Sequence, residues 1–351
     1  MVAWVASLAA PSGYAQAQAP GADRVVDAAE RQKVIEATLQ NLKDHYVYVE
    51  GAQKMAEAIR AHDAAKDYDR VTDAKAFAEM LTTHLRDVSH DSHLSVLFDP
   101  LPNPRLSQEA VDLGRARELA AARRDNFRFT SVRVLAGNVG YLEFHGFSSF
   151  PEAKETCIAA MNFLANTDAL VIDLRPPWGG STITSDLMSS YLFDGSVHLY
   201  DGYFRDQDRT EPHTTAGTVA GPRFGGSKPL FILTSRGTIS GTELFAYALR
   251  GQKRAILVGE TTRGGAHHGE PFRIDDRFVS YVPNGRYIVK GEKTDWEGTG
   301  IEPDLKTDAA VALKTAHLAA LAKLLELTPA GKWHDALVQI RAAVEKDQAG
   351  G

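Results

Sequence analysis

The chain has 351 residues, 44% of them hydrophobic, with a formal net charge of −6, enough apolar material for a sizeable core in roughly two domains. The mild acidity and the lack of a basic run argue against a nucleic-acid partner, and no apolar run reaches the length that crosses a bilayer. A single cysteine, Cys157, excludes an intrachain disulfide and a cysteine-based zinc site.

Residues 1–10 are apolar and small, and Ala15-Gln16-Ala17 fits an A-x-A cleavage site. Residues 1–23 therefore read as a signal peptide and disordered start, although the basic n-region is missing. A plain alanine-rich tail is the alternative. A real signal implies a secreted or periplasmic protein. Residues 24–99 read as a helical domain. Ile35, Leu39, Leu42 and Tyr46 repeat at helical spacing. A second helix is expected over 52–62. A third follows Thr72 as its cap, with Phe77, Leu81 and Leu85 on one face. Such helices can bury one another's apolar stripes as a bundle. The region ends at Val88-Ser89-His90-Asp91-Ser92-His93, before the apolar run 94–98.

Residues 100–107, rich in proline, read as a linker. From 108 to 307 the pattern is α/β. A charged helix over 108–123 precedes strands over 129–135 and 139–144, which flank Gly137-Asn138 as a hairpin. A helix from Pro151 to 166 holds Cys157 in its apolar face. Strand 169–174, helix 182–192, strand 229–234, helix 244–249 and strand 255–259 continue the alternation, which implies a sheet covered by helices. Residues 308–351 read as a C-terminal helical segment, with a helix over 309–325 carrying Leu313, Leu321 and Leu324.

Two strand-to-helix junctions carry candidate chemistry. Ser240 lies between strand 229–234 and helix 244–249, where free N–H groups and the positive helix end gather. That setting suits a nucleophile. Ser240 with Glu243 also fits an S-x-x-E capping box, and the residues alone leave both readings open. The loop Arg175-Pro176-Pro177-Trp178-Gly179-Gly180-Ser181 brings two glycines to a similar turn, where backbone can approach a ligand. Its spacing is that of neither a Walker loop nor a dinucleotide loop.

Four ordered blocks give a resemblance. Asp173-Leu174-Arg175 with Gly179-Gly180 resembles the D-L-R-x-N-x-G-G segment of the tail-specific, or C-terminal processing, serine peptidases, with Pro177 where that family has asparagine. Thr238-Ile239-Ser240-Gly241-Thr242-Glu243 resembles their nucleophile segment. Residues 254–267 resemble the R-A-x-x-V-G-E-x-T-x-G-G block, and 297–304 the closing E-G-x-G-V-x-P-D. The resemblance implies an α/β protein with a crotonase-like ββα spiral core behind an N-terminal helical bundle domain.

The tail-specific members pair serine with a lysine. The corresponding position here is Gly265, and no lysine lies between Lys253 and Lys290. The other branch, similar to tricorn protease and interphotoreceptor retinoid-binding protein, implies a Ser-His-Ser-Glu tetrad. Ser240 is then the nucleophile, His93 the base, and Ser92 the relay to Glu297. The N–H groups of Gly180 and Gly241, with Gly179 close by, are the candidate oxyanion hole. A serine hydroxyl needs such a base at neutral pH, and histidine suits it.

Other readings remain at single residues. His90 and His93 with Asp87 and Asp91 could suggest a metal, His267-His268 an alternative base or substrate contact, and Glu297 a mere turn acid. Trp178 and Trp296 either line a cleft or pack. The expected function is serine-type hydrolysis of peptides or unfolded proteins through an acyl-enzyme, with no cofactor and no metal, at a site between the two domains. The alternative is a non-catalytic carrier of an apolar, retinoid-like ligand. A crotonase-type acyl-CoA enzyme is a weaker third.

Overall fold

The computed structural model describes residues 24–100, 108–290 and 294–347. The expected signal segment, with Ala15-Gln16-Ala17, and residues 101–107 of the expected linker lie outside the described residues. The chain opens with helices α1 (Ala28–His45), α2 (Val49–Ala64) and α3 (Ala74–Ser89). The cap of α3 is Asp73, not Thr72: its carboxylate accepts the Ala76 N–H at 2.9 Å. A carboxylate there also meets the positive end of the helix dipole. The expected stripes are buried, with Ile35, Leu39 and Leu42 of α1 facing the same core as Phe77, Leu81 and Leu85 of α3.

These helices do not close that core by themselves. Strand β1 (Ser95–Phe98) pairs antiparallel with β10 (Phe278–Val289), and Phe278 and Val282 of β10 enter the apolar cluster of α1–α3. The order of this sheet is β1-β10-β5-β6, with β5 at His198–Phe204 and β6 at Arg209–Thr214. Strand β9 (His268–Arg273) also pairs with β10. The N-terminal region is thus seated on a sheet supplied by residues far downstream, which fixes residues 90–93 against the rest of the chain.

Helix α4 (Gln108–Arg124) leads to the second sheet, ordered β11-β8-β7-β4-β3-β2. Its strands are β2 (Phe129–Leu135), β3 (Val139–Phe144), β4 (Ala169–Asp173), β7 (Leu230–Thr234), β8 (Ile256–Gly259) and β11 (Leu305–Lys306). Strands β2 and β3 form the expected antiparallel hairpin, and the remaining pairs are parallel. Every residue of β4 and β7 is buried, as central parallel strands require. Helices α5 (Ala153–Leu164), α6 (Thr182–Ser190) and α7 (Gly241–Gly251) cover one face, where Leu170 and Ile172 meet Cys157. Helix α8 (Ala312–Leu327) covers the other, against Val171, Phe231 and Val258, and α9 (Lys332–Lys346), a second helix within the 308–351 segment whose separate bounds the sequence does not mark, adds Leu337. The α/β class with a helical N-terminal region is as expected. No helix among the described residues is long and apolar enough to cross a membrane.

Candidate active site

The loops that follow β4, β7 and β8 all leave the carboxyl ends of parallel strands, where open α/β sheets gather their functional groups. Ser240 ends the β7 loop and caps α7 with a positive φ, 58°, and ψ −125°. Such backbone strain at a non-glycine residue costs on the order of 1–3 kcal/mol and persists only where the surroundings over-determine it. Here the surroundings are explicit. The Ser240 N–H donates to Glu243 Oε2 at 2.8 Å, so the glutamate half of the expected capping box is present. The same buried carboxylate also accepts the N–H groups of Gly264 and Gly265, each at 2.8 Å, and the Thr262 hydroxyl. Burial raises the Glu243 pKa, against the pull of those donors. Glu243 therefore clamps the serine turn to the glycine-rich loop after β8.

The β4 loop is held to the serine segment by three hydroxyls. Thr238 Oγ1 donates to Leu174 O at 2.7 Å, Ser235 Oγ to Arg175 O at 2.7 Å, and Thr242 Oγ1 to Trp178 O at 2.8 Å. At its base, Asp173 is buried and receives Arg175 Nε at 2.9 Å and the Tyr141 hydroxyl at 2.8 Å. The D-L-R segment is thus a buckle for the loop. A β-carbon on Gly179 would sit 2.7 Å from Ser240 Cβ, one on Gly180 1.9 Å from Phe147 O, and one on Gly241 2.3 Å from Gly180 O. Only glycine permits this approach. It packs the Gly180 backbone against Gly241 at the α7 N-terminus, and neither N–H makes a hydrogen bond among the described residues. Trp178 is exposed, with the Arg128 guanidinium 4.5 Å from its ring centroid, whereas Trp296 is buried and packs on Tyr247.

His93 arrives from the other side, in the turn between α3 and β1. Arg86 of α3 fixes that turn, donating to Ser92 O at 2.8 Å and Leu94 O at 2.7 Å. The His93 ring lies against Gly265 and near Ile239, the residue before Ser240. Its Nδ1 is buried with no hydrogen-bond partner among the described residues, and burial lowers the ring's pKa, against the pull of Asp91. Glu297, in the turn before β11, reaches the same place. Its Oε1 accepts the Ser92 N–H at 3.0 Å, and the Ser92 hydroxyl stands 3.4 Å away. The contact expected to run through the hydroxyl runs chiefly through the backbone. Glu297 Oε2 accepts from Ala266 N at 2.5 Å and His267 N at 3.2 Å. Burial and the neighbouring Asp91 push Glu297 up to about 7, against the opposing pull of His267.

His267 is no free base. Its Nδ1 lies 2.7 Å from Asp91 Oδ2 and its Nε2 3.3 Å from Asp295 Oδ2. His90 and Asp87 are exposed, apart from buried Asp91. Asp91, His93 and Glu297 stand close enough to be metal donors. Yet the carboxylate oxygens of Asp91 and Glu297 already accept from His93 N, His267, Ser92 N and Ala266 N, so a cation would displace existing bonds. Sequence reasoning missed Asp295 and Arg86, and singled out Asp91 only as a possible metal donor. The one signal available was Asp91 standing two residues before His93.

Residues 138–307 match the sequence model of peptidase family S41, and residues 25–120 match that of the N-terminal domain of peptidase S41 in eukaryotic IRBP. Carboxyl-terminal-processing peptidase 2, chloroplastic, of Arabidopsis thaliana is 30% identical over 171 residues, covering 47% of this chain and 31% of its own. The carboxyl-terminal-processing protease of Picosynechococcus sp. is 27% identical over 201 residues, covering 50% of this chain and 45% of its own. The chain thus spans less than half the length of these curated relatives. A solved structure described as a peptidase from Parabacteroides merdae shares the fold, with a TM-score of 0.59 at 18% identity, over 84% of this chain and 97% of that one.

Proposed function

This chain belongs to peptidase family S41, and we propose that it hydrolyses peptide bonds of peptide or unfolded protein substrates through an acyl-enzyme on Ser240. His93 takes the proton as Ser240 Oγ attacks the scissile carbonyl, and returns it to the leaving amine. The oxyanion forms between the Gly180 and Gly241 N–H groups, beside Gly179. Glu297, next to Ser92, stabilises the histidine cation without itself taking the proton. Water then releases the acyl group by the same steps in reverse order. No cofactor enters this reaction. The carboxyl-terminal-processing relatives suggest cleavage near chain ends, and the alanine-rich start with its A-x-A site suggests action outside the cytoplasm.

The observation that carries this reading is the strained Ser240 turn, packed beside Gly180 and Gly241, whose N–H groups make no hydrogen bond among the described residues. A cap alone has no use for that strain. A fluorophosphonate probe should label the wild-type chain and leave Ser240→Ala unlabelled, with casein hydrolysis lost in the same variant. Removing the hydroxyl costs at most about 2 kcal/mol of stability, so the variant stays folded. Wild-type protein that takes up no probe, or a Ser240→Ala variant with full turnover, would leave Ser240 as a cap and return the carrier reading.

A further inference from the structure

We infer that His267 is a fixed buried cation of this site, a positioning residue that never reacts but holds Asp91 and Glu297 as carboxylates around the His93 turn. The role rests on the peptidase reading above; the charge does not. Both ring nitrogens face carboxylates, Asp91 Oδ2 at 2.7 Å and Asp295 Oδ2 at 3.3 Å. Neither carboxylate has a proton to give. Asp91 Oδ1 accepts the His93 N–H at 3.0 Å, and the Tyr46 hydroxyl donates to Oδ2 at 3.3 Å. Asp295 accepts the Tyr48 hydroxyl at 2.7 Å and the Glu297 N–H at 3.2 Å. A ring that must donate from both nitrogens is an imidazolium.

The site needs that cation. Glu297 Oε2 is 3.6 Å from His267 Nδ1, so one positive ring serves three carboxylates. The side chains of His267 and Asp91 are 3% and 0% exposed, so water does little to screen them. Without the ring, Asp91 and Glu297 would repel each other in a buried space, and one would bind a proton. Burial opposes the charge on His267, but the hydrogen bonds to Asp295 and Asp91 outweigh it and raise its pKa to about 10. The ring in turn draws Asp91 below the usual carboxylate range, against burial. Other groups bear on the cluster: Arg86 of α3, His93, His268 of β9, and Tyr281 of β10. Arg86 is committed to the carbonyls of Ser92 and Leu94, which leaves His267 as the cation bonded to the carboxylates.

Because Asp91 also accepts the His93 N–H, the charge on His267 is tied to the placing of the base. Removing it should act through protonation of Glu297 and not through a general loss of fold. In His267→Gln the acid limb of kcat/KM should move up by about one pH unit or more, with activity recovering towards the wild-type level at alkaline pH. A uniform drop at every pH, with the limb unmoved, would mean a merely structural ring and overturn the inference. A second measurement needs no variant activity. In wild-type protein with nitrogen-15 histidine, the signal missing from His267→Gln should show two protonated ring nitrogens at about pH 8.5, where an ordinary histidine is neutral. A neutral ring there overturns the inference outright. Failure of the wild-type chain to label with fluorophosphonate would overturn the peptidase reading and the proposed role with it, while the nitrogen shifts still decide the charge.

Discussion

Gly265 and His93 fit together only because residue 265 has no side chain. A β-carbon at 265 would lie 2.7 Å from His93 Cε1, 3.1 Å from Ile239 Cγ1 and 3.3 Å from the Ser92 hydroxyl. This is the position at which the tail-specific branch resembled by the sequence has its lysine. A lysine at 265 and the His93 ring cannot occupy the same space, so a chain whose proposed base is His93 of the N-terminal turn is left with glycine here. The prediction is that Gly265→Ala displaces the His93 ring and lowers kcat by about tenfold or more, which is about 1.4 kcal/mol in the barrier. Steady-state kinetics on a peptide substrate check it. Unchanged kcat would show that His93 has room to spare or is not the base.

His93→Ala should lower kcat by about two to four orders of magnitude, the usual worth of a general base. The comparison with His267 matters here. Both ring nitrogens of His267 are held by carboxylates, so it has no lone pair with which to take a proton from Ser240. His93 Nδ1 has no hydrogen-bond partner among the described residues. A His93→Ala variant that keeps full activity would break this assignment, whatever His267 variants do.

Glu243→Ala should destabilise the protein by roughly 3–4 kcal/mol, since it strands several buried donors at once. These are the N–H groups of Ser240, Gly264 and Gly265 and the Thr262 hydroxyl. Activity should fall as well, because the same carboxylate sets both the Ser240 turn and the loop that backs His93. Denaturant melts and a kinetic assay on the surviving folded fraction separate the two effects. A stable variant with normal turnover would show that the turn holds without its clamp.

The contrast between Glu243 and Asp295 shows how far the sequence reaches. Glu243 was legible because its partner Ser240 stands three residues away, a spacing that backbone geometry turns into contact. The buried strands β4 and β7 were legible as unbroken apolar runs. Asp295 meets Tyr48 and His267, 247 and 28 residues off in sequence, and nothing local marks such a pair. The antiparallel sheet was missed for a related reason. Strand β6 is largely exposed and polar, and β10 carries Pro283, Asn284 and Gly285 in its middle, so neither shows a clean alternation. Helix α9 buries Leu337 alone, too little apolar surface to stand out.

The last prediction concerns the charge on Glu297. Its pKa is pushed up to about 7 by burial and Asp91, against His267 and the backbone donors. If the reaction needs the carboxylate, the wild-type rate rises with pH through that value. Glu297→Gln keeps the shape but cannot ionise, so kcat should fall while KM stays near wild type, and the pH dependence tied to this group should vanish. Stability changes in the opposite sense. A carboxyl whose folded pKa is raised binds its proton more tightly in the native state, so it contributes stability below its ordinary value and loses it as pH rises through about 7. The glutamine variant lacks that loss. Its melting temperature should therefore gain on the wild type between about pH 5 and about pH 8, even if it is lower throughout. A gap that stays constant across that range would show that Glu297 does not titrate there, and a variant with wild-type kcat at neutral pH would remove it from the reaction.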